Sequence, residues 1–148
     1  MPGVQSSGLT IRRGSYIVGC MMRSEPPLPT EAELEILRVL WTRGPSTVRE
    51  VQEALEGTRP SGYTTVLKFL QIMHEKGLVV RDESSRTHVY EAAVERDATE
   101  GKLVRDLAAR AFGGSAARLV LRALEEAPAT AEELEEIRAL LDRLEGAR

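Results

Sequence analysis

The segment SGYTTVLKFLQIMHEKGLVV, residues 61–80, constrains the fold more than any other part of this chain. At about 100° per residue, Val66, Phe69, Leu70 and Met73 fall on one side, and Ser61, Thr64, Lys68, Gln71 and Glu75 on the other. The spacing predicts a helix with a buried face and a displayed face, ended at Gly77, where a left-handed C-cap favours a residue without Cβ. A β-branched run follows at once. The displayed face carries short hydroxyls, one amide and one cation in its first three turns, the side chains that hydrogen-bond base edges and phosphates. An ordinary solvated helix surface has the same composition. The neighbouring elements have to decide between the two.

Upstream, Thr30 with Glu33 forms a T-x-x-E capping box, and Leu34, Leu37, Val39, Leu40 and Trp41 supply an apolar stripe up to Gly44-Pro45. This predicts a first helix over 31–43. Thr47 with Glu50 repeats the box, and Val48, Val51 and Leu55 space a short second helix over 48–56, stopped by Gly57. After the quoted helix, residues 78–83 and 86–93 read as two strands about the turn Ser84-Ser85. The order is three helices and a hairpin.

A short second helix, a tight turn, a third helix with a polar outer face and a hairpin make the winged variant of helix-turn-helix, whose recognition helix enters the DNA major groove. On that reading Ser61, Tyr63, Thr64, Thr65, Lys68 and Gln71 face DNA, and Arg81, Arg86 and His88 at the wing are phosphate ligands. Tyr63 has a second reading, as a buttress for the helix N-terminus. Trp41 reads as core, and His74 as structural at the margin of the buried face.

Downstream, three more amphipathic helices are expected. Leu103, Leu107 and Phe112 mark the first, up to Gly113-Gly114, and Leu119, Val120 and Leu124 the second, closed by Pro128. A third capping box, Thr130 with Glu133, opens the last, with Leu134, Ile137, Leu141 and Leu144 on one side. A leucine-rich helical appendage of this kind pairs with its own copy, which would match the two-fold symmetry of an operator. The expected organisation is therefore mostly α with a small β-hairpin: a winged helix-turn-helix over 28–94 and a helical dimerisation region over 95–148.

Residues 1–27 are rich in Gly, Ser and Pro without helical periodicity and read as a disordered tail, with Met21 or Met22 as the expected true start. Arg12-Arg13 before an apolar run imitates an export signal, but Gly14 to Gly19 is too short for a signal core. The single cysteine, Cys20, can form no internal disulfide, and no Cys/His cluster has structural-zinc spacing, so a cytoplasmic protein without metal or other cofactor is expected. Net charge is −3, against a protein that coats nucleic acid non-specifically. Within residues 59–88, however, Arg59, Lys68, Lys76, Arg81 and Arg86 face only Glu75, Asp82 and Glu83. Catalysis finds little support: His74 and His88 do not make an HExxH pair, and there is no glycine-rich phosphate loop. The competing reading is a winged-helix module that uses the same face for a protein partner.

The segments EAELEILRVLW, STVREVQEAL, GYTTVLKFLQIMHEKGLV, HVYEA and FGGSAARLVLRALEE, in that order, resemble the BlaI/MecI/CopY family of bacterial transcriptional repressors, from about Leu28 to Glu145. The resemblance implies a homodimer that binds double-stranded DNA at an inverted-repeat operator and blocks transcription, its own promoter often included. It further implies a switch: antibiotic-resistance members are inactivated by a membrane-bound metallopeptidase sensor that leads to cleavage of an Asn-Phe bond in the dimerisation helices. Here the corresponding bond is Arg122–Ala123, a departure that leaves the β-lactam signal uncarried. The C-terminal cysteines of copper-sensing members are missing too, and Lys68 and Gln71 stand where others often have Thr and Arg, so the family's operator sequence does not carry over.

Overall fold

The computed structural model describes residues 25–147. The readings placed on the tail, with Cys20, Met21 and Met22, lie outside the described residues. Two compact units divide the chain, one ending at Glu100 and the other starting at Gly101.

The first unit is a winged helix: α1 (Glu31–Arg43), β1 (Ser46–Thr47), α2 (Val48–Ala54), α3 (Tyr63–Lys76), β2 (Val79–Asp82) and β3 (Val89–Ala92). Helix α4 (Arg96–Ala111) begins at its end. Residues one turn apart on the three helices meet in one core, Ile36, Leu37 and Leu40 from α1, Val48 and Val51 from α2 with Leu55 at its C-cap, and Val66, Leu70 and Met73 from α3. Leu78, Val79 and Tyr90 close it from the sheet. Each large side chain so buried contributes roughly 1.5–3 kcal/mol.

Both expected capping boxes are formed. The Thr30 and Thr47 hydroxyls accept from the amides of Glu33 and Glu50, whose carboxylates accept from the threonine amides. Glu33 does more. It is buried, and its Oε2 accepts from Lys76 Nζ at 2.7 Å, so one carboxylate caps the start of α1 and ties it to the end of α3. Helix α3 stops at Gly77, where φ is 88° and ψ 12°, and the Leu78 amide turns back to the Met73 carbonyl at 2.9 Å.

Several boundaries differ from the sequence expectation for identifiable reasons. Helix α3 starts at Tyr63 with Gly62 as its N-cap, because Ser61 is engaged before it: its hydroxyl donates to Arg59 O and its carbonyl accepts from Gln52 Nε2. Helix α2 ends at Ala54, since the amides of Thr58 and Arg59 both turn to the Leu55 carbonyl. The strands are shorter than expected. Asp82 accepts from the Ser84 amide and Ser85 donates to Thr87 O, local bonds that compete with the ladder. In α1 the buried set is Glu33, Ile36, Leu37 and Leu40, while Leu34, Val39 and Trp41 are half-buried. Phe69 is likewise half-buried.

Strand β1 was not expected. It pairs antiparallel with β3, Ser46 with Tyr90 and Thr47 with Val89, giving the sheet order β1-β3-β2. The hairpin partner β2 pairs with β3 from Val79–Ala92 to Asp82–Val89. Trp41 donates from Nε1 to Val94 O at 2.9 Å, which joins α1 to the segment leading into α4.

The second unit carries the rest of α4, then α5 (Ala116–Glu126) and α6 (Ala131–Gly146). Gly113 and Gly114 both take positive φ between α4 and α5. The third capping box, Thr130 with Glu133, opens α6. Hydrogen bonds from the Thr130 amide and the Thr130 side chain hold the Glu133 carboxyl below its ordinary pKa. A depressed folded value means that this contribution is present at neutral pH and lost as the pH falls through it.

Replacing Glu33 tests the tie between α1 and α3. Glu33→Ala leaves the Lys76 ammonium without its partner and removes half of a cap, an expected loss of roughly 2–3 kcal/mol. Glu33→Gln keeps an acceptor for the Thr30 amide and should lose less. Urea denaturation followed through Trp41, the single tryptophan of the chain, measures both.

Candidate nucleic-acid interface

The helix-turn-helix geometry depends on how the loop between α2 and α3 is held. Arg59 lies at its centre, ion-paired with Glu35 of α1 and 4.0 Å from Glu31. The hydrogen bond and charge of Glu35 raise the Arg59 pKa above its ordinary value. Gln52 of α2 reaches over to Ser61 O at 3.3 Å. Thus a base counted in the sequence as part of a positive surface is spent on joining α1 to this loop.

From α3 the structure displays Thr64, Thr65, Lys68 and Gln71, all exposed, with Val66, Leu70 and Met73 on the opposite side in the core. Tyr63 opens the helix and is 45% exposed. His74 is half-buried, its Nδ1 3.4 Å from Val79 O, in keeping with a structural role.

The expected site residues separate into three groups. Tyr63 and Gln71 of α3 and Arg86 and His88 of the wing line one open groove of about 520 Å³. Thr64, Thr65 and Lys68 are exposed on α3 outside the groove lining, and Ser61 precedes the helix. Arg81 is different: it is ion-paired with Glu83 at 2.5 Å. Burial disfavours its charge, but hydrogen bonds with Tyr90 and Glu83 outweigh that, and its pKa is raised. Its positive charge is therefore largely answered within the wing.

Thr87 and Arg49 are among the groove residues that escaped the sequence reading. Thr87 lies in the wing turn, and Arg49, in the first turn of α2, has its guanidinium carbon 5.8 Å from the centroid of the Tyr63 ring, in cation–π range. The sequence signals only a base within the second capping box. That α3 brings an aromatic ring beneath it is a tertiary fact.

In the second unit, Leu107, Val120, Leu134, Leu141 and Leu144 are exposed, while Leu103, Phe112, Leu119, Leu124 and Ile137 are half-buried. Val104, Leu121 and Leu140 are exposed as well, and Leu121 is the most open of the large apolar side chains at 64%. Leu121 precedes Arg122, which is paired with Glu125 at 3.1 Å within α5. Among the described residues no helix is long and apolar enough to cross a membrane, and no group of three or more acidic, His or Cys side chains could hold a metal ion.

Residues 29–143 match the sequence profile of the family described as penicillinase repressor. The transcriptional regulator BlaI of Mycobacterium tuberculosis is 38% identical over 82 residues, covering 55% of this chain and 59% of that protein's length. The methicillin resistance regulatory protein MecI of Mammaliicoccus sciuri is 21% identical over 114 residues, covering 77% of this chain and 93% of that one. Among solved structures, the DNA binding domain of the repressor BlaI superimposes with a TM-score of 0.44 at 24% identity, covering 50% of this chain and 90% of that domain.

The Arg81–Glu83 pair supplies a test of this surface. Glu83→Gln should release the guanidinium at a stability cost of at most about 1 kcal/mol, since such exposed pairs contribute little. Duplex DNA should then bind more tightly at low salt, with a salt slope steeper by up to about 0.9 for one added phosphate contact. An unchanged slope in a salt titration would show that Arg81 stays out of reach of DNA.

Proposed function

The chain belongs to the penicillinase repressor family, that of BlaI and MecI, and from this premise we propose that it is a sequence-specific transcriptional repressor. It binds inverted-repeat operators in promoters, its own among them, as a homodimer in the cytoplasm, and it acts without catalysis or a cofactor. The observation that carries this reading is the winged helix itself: a third helix with its polar face exposed beside a wing that contributes Arg86 and His88 to the same groove. Exposed Thr64, Thr65 and Lys68 have the chemistry to read base edges in the major groove, and the wing has the chemistry to hold phosphates.

Self-association is supported by the apolar side chains that α4, α5 and α6 leave in solvent, Leu107, Val120, Leu121, Leu141 and Leu144 among them. A soluble monomer seldom exposes so many large apolar groups on adjacent elements. Two half-sites bound by one dimer gain avidity that a single half-site lacks, and loss of the dimer releases the promoter. Repression is then steric.

The protein-partner alternative requires no dependence on phosphate charge. Fluorescence-anisotropy titration with a labelled duplex from the gene's own promoter, against scrambled competitor, separates the two. The repressor reading expects tight binding that falls steeply with salt and resists the scrambled duplex. Lys68→Ala should weaken the promoter complex by about 1–3 kcal/mol if Lys68 contacts a base, with scrambled DNA affected less. Leu141→Glu should shift the protein towards monomer in sedimentation velocity, and the promoter affinity should drop with it. A fully dimeric variant would remove Leu141 from the interface.

A further inference from the structure

In a chain of net charge −3, many cations of the described residues are answered locally. Arg59, Lys76, Arg81, Arg96, Arg110, Arg122 and Arg138 each sit in an ion pair. The groove between α2, α3 and the wing is otherwise. Its lining includes Arg49, Arg86 and His88 and no Asp or Glu, and among the described residues neither arginine has an ion-pair partner.

The two walls of this groove are joined by the sheet. Arg49 follows Thr47 by two residues, His88 precedes Val89 by one, and Thr47 and Val89 are partners in the β1–β3 ladder. The distance between the α2 wall and the wing wall is thereby set by backbone hydrogen bonds and not by flexible side chains. On one wall, the Tyr63 ring holds the Arg49 guanidinium from below.

We propose that this groove is a clamp for a backbone phosphate of duplex DNA, with Arg49 on one wall, Arg86 and His88 on the other, and Tyr63 as the positioning residue for Arg49. The inference rests on the DNA-binding reading above and divides the labour within it. Arg49 and its groove partners supply sequence-independent affinity through counterion release, whereas Thr64, Thr65 and Lys68, outside the groove, carry the sequence preference. The phosphate is a diester in a duplex, because the groove is continuous with the exposed α3 face through Tyr63 and Gln71.

The test uses the full chain, a promoter duplex and a scrambled duplex, each titrated by fluorescence anisotropy at salt concentrations from about 50 to about 200 mM, a range over which phosphate contacts are resolved. Arg49→Gln should weaken binding to both duplexes by the same factor and reduce the salt slope by about 0.9, the value for one phosphate. Arg49→Lys should restore the slope. Tyr63→Leu should lose part of the Arg49 effect, and Tyr63→Phe, which keeps the ring, should retain the cation–π support. Matching thermal unfolding curves for parent and variants exclude misfolding as the cause.

An unchanged slope for Arg49→Gln alongside normal DNA binding by the parent would overturn the clamp and leave the repressor reading intact. A loss confined to the promoter duplex would overturn it too, by making Arg49 a base reader. Parent protein that binds neither duplex with salt dependence would remove the DNA-binding reading and the clamp together.

Discussion

A ladder of two residues holds the winged-helix unit of this protein in register. Ser46 and Thr47 pair with Tyr90 and Val89, and through them the helix-turn-helix and the wing share one sheet. The pairing gains strength from its position over the core. Ser46 and Tyr90 are both buried, and Thr47 is at once a strand residue and the N-cap of α2. A helix start and a strand end therefore occupy the same place, so α2 cannot rotate without breaking the ladder or the capping box. The groove between α2, α3 and the wing takes its width from this arrangement.

Charge is distributed to the same effect. Acidic side chains are used internally: Glu33 and Glu50 cap helices, Glu33 also receives Lys76, and Glu35 receives Arg59. These ties fix α1 to the end of α3 and to the loop before it. Of the cations outside those ties, Arg49 and Arg86 face one groove and Lys68 stands on the adjoining helix face. A modest negative total charge is thus compatible with a locally positive surface, because no Asp or Glu lines the groove.

Much of the fold was legible in the sequence wherever structure depends on near neighbours. The three capping boxes are interactions between residues three apart, and all three form where the T-x-x-E spacing places them. Gly77 ends α3 because a left-handed residue is needed there and its neighbours supply the strand that follows. The displayed and buried faces of α3 follow from its period. Less legible were features made by contacts across the chain. Strand β1 has two residues, too few for any periodicity, and exists only because β3 offers it a partner. Glu33 reads in the sequence only as the acid of a capping box, yet the approach of Lys76 from α3 makes it a buried tie.

The candidate site shows the same division. Thr64, Lys68 and Gln71 could be assigned to an outward face from helical geometry alone, because the side opposite a hydrophobic stripe has to meet solvent or a partner. Arg49 could not, since its meaning depends on Tyr63 fourteen positions later, and Arg81 could be counted as a free base only until Glu83 and Tyr90 were seen around it. Sequence by itself determined the helices, their caps and the polarity of their faces, all of which are set by interactions within one or two turns. Only the tertiary structure decided which charges are neutralised and which converge on a groove, because that depends on distances between elements that no local pattern encodes.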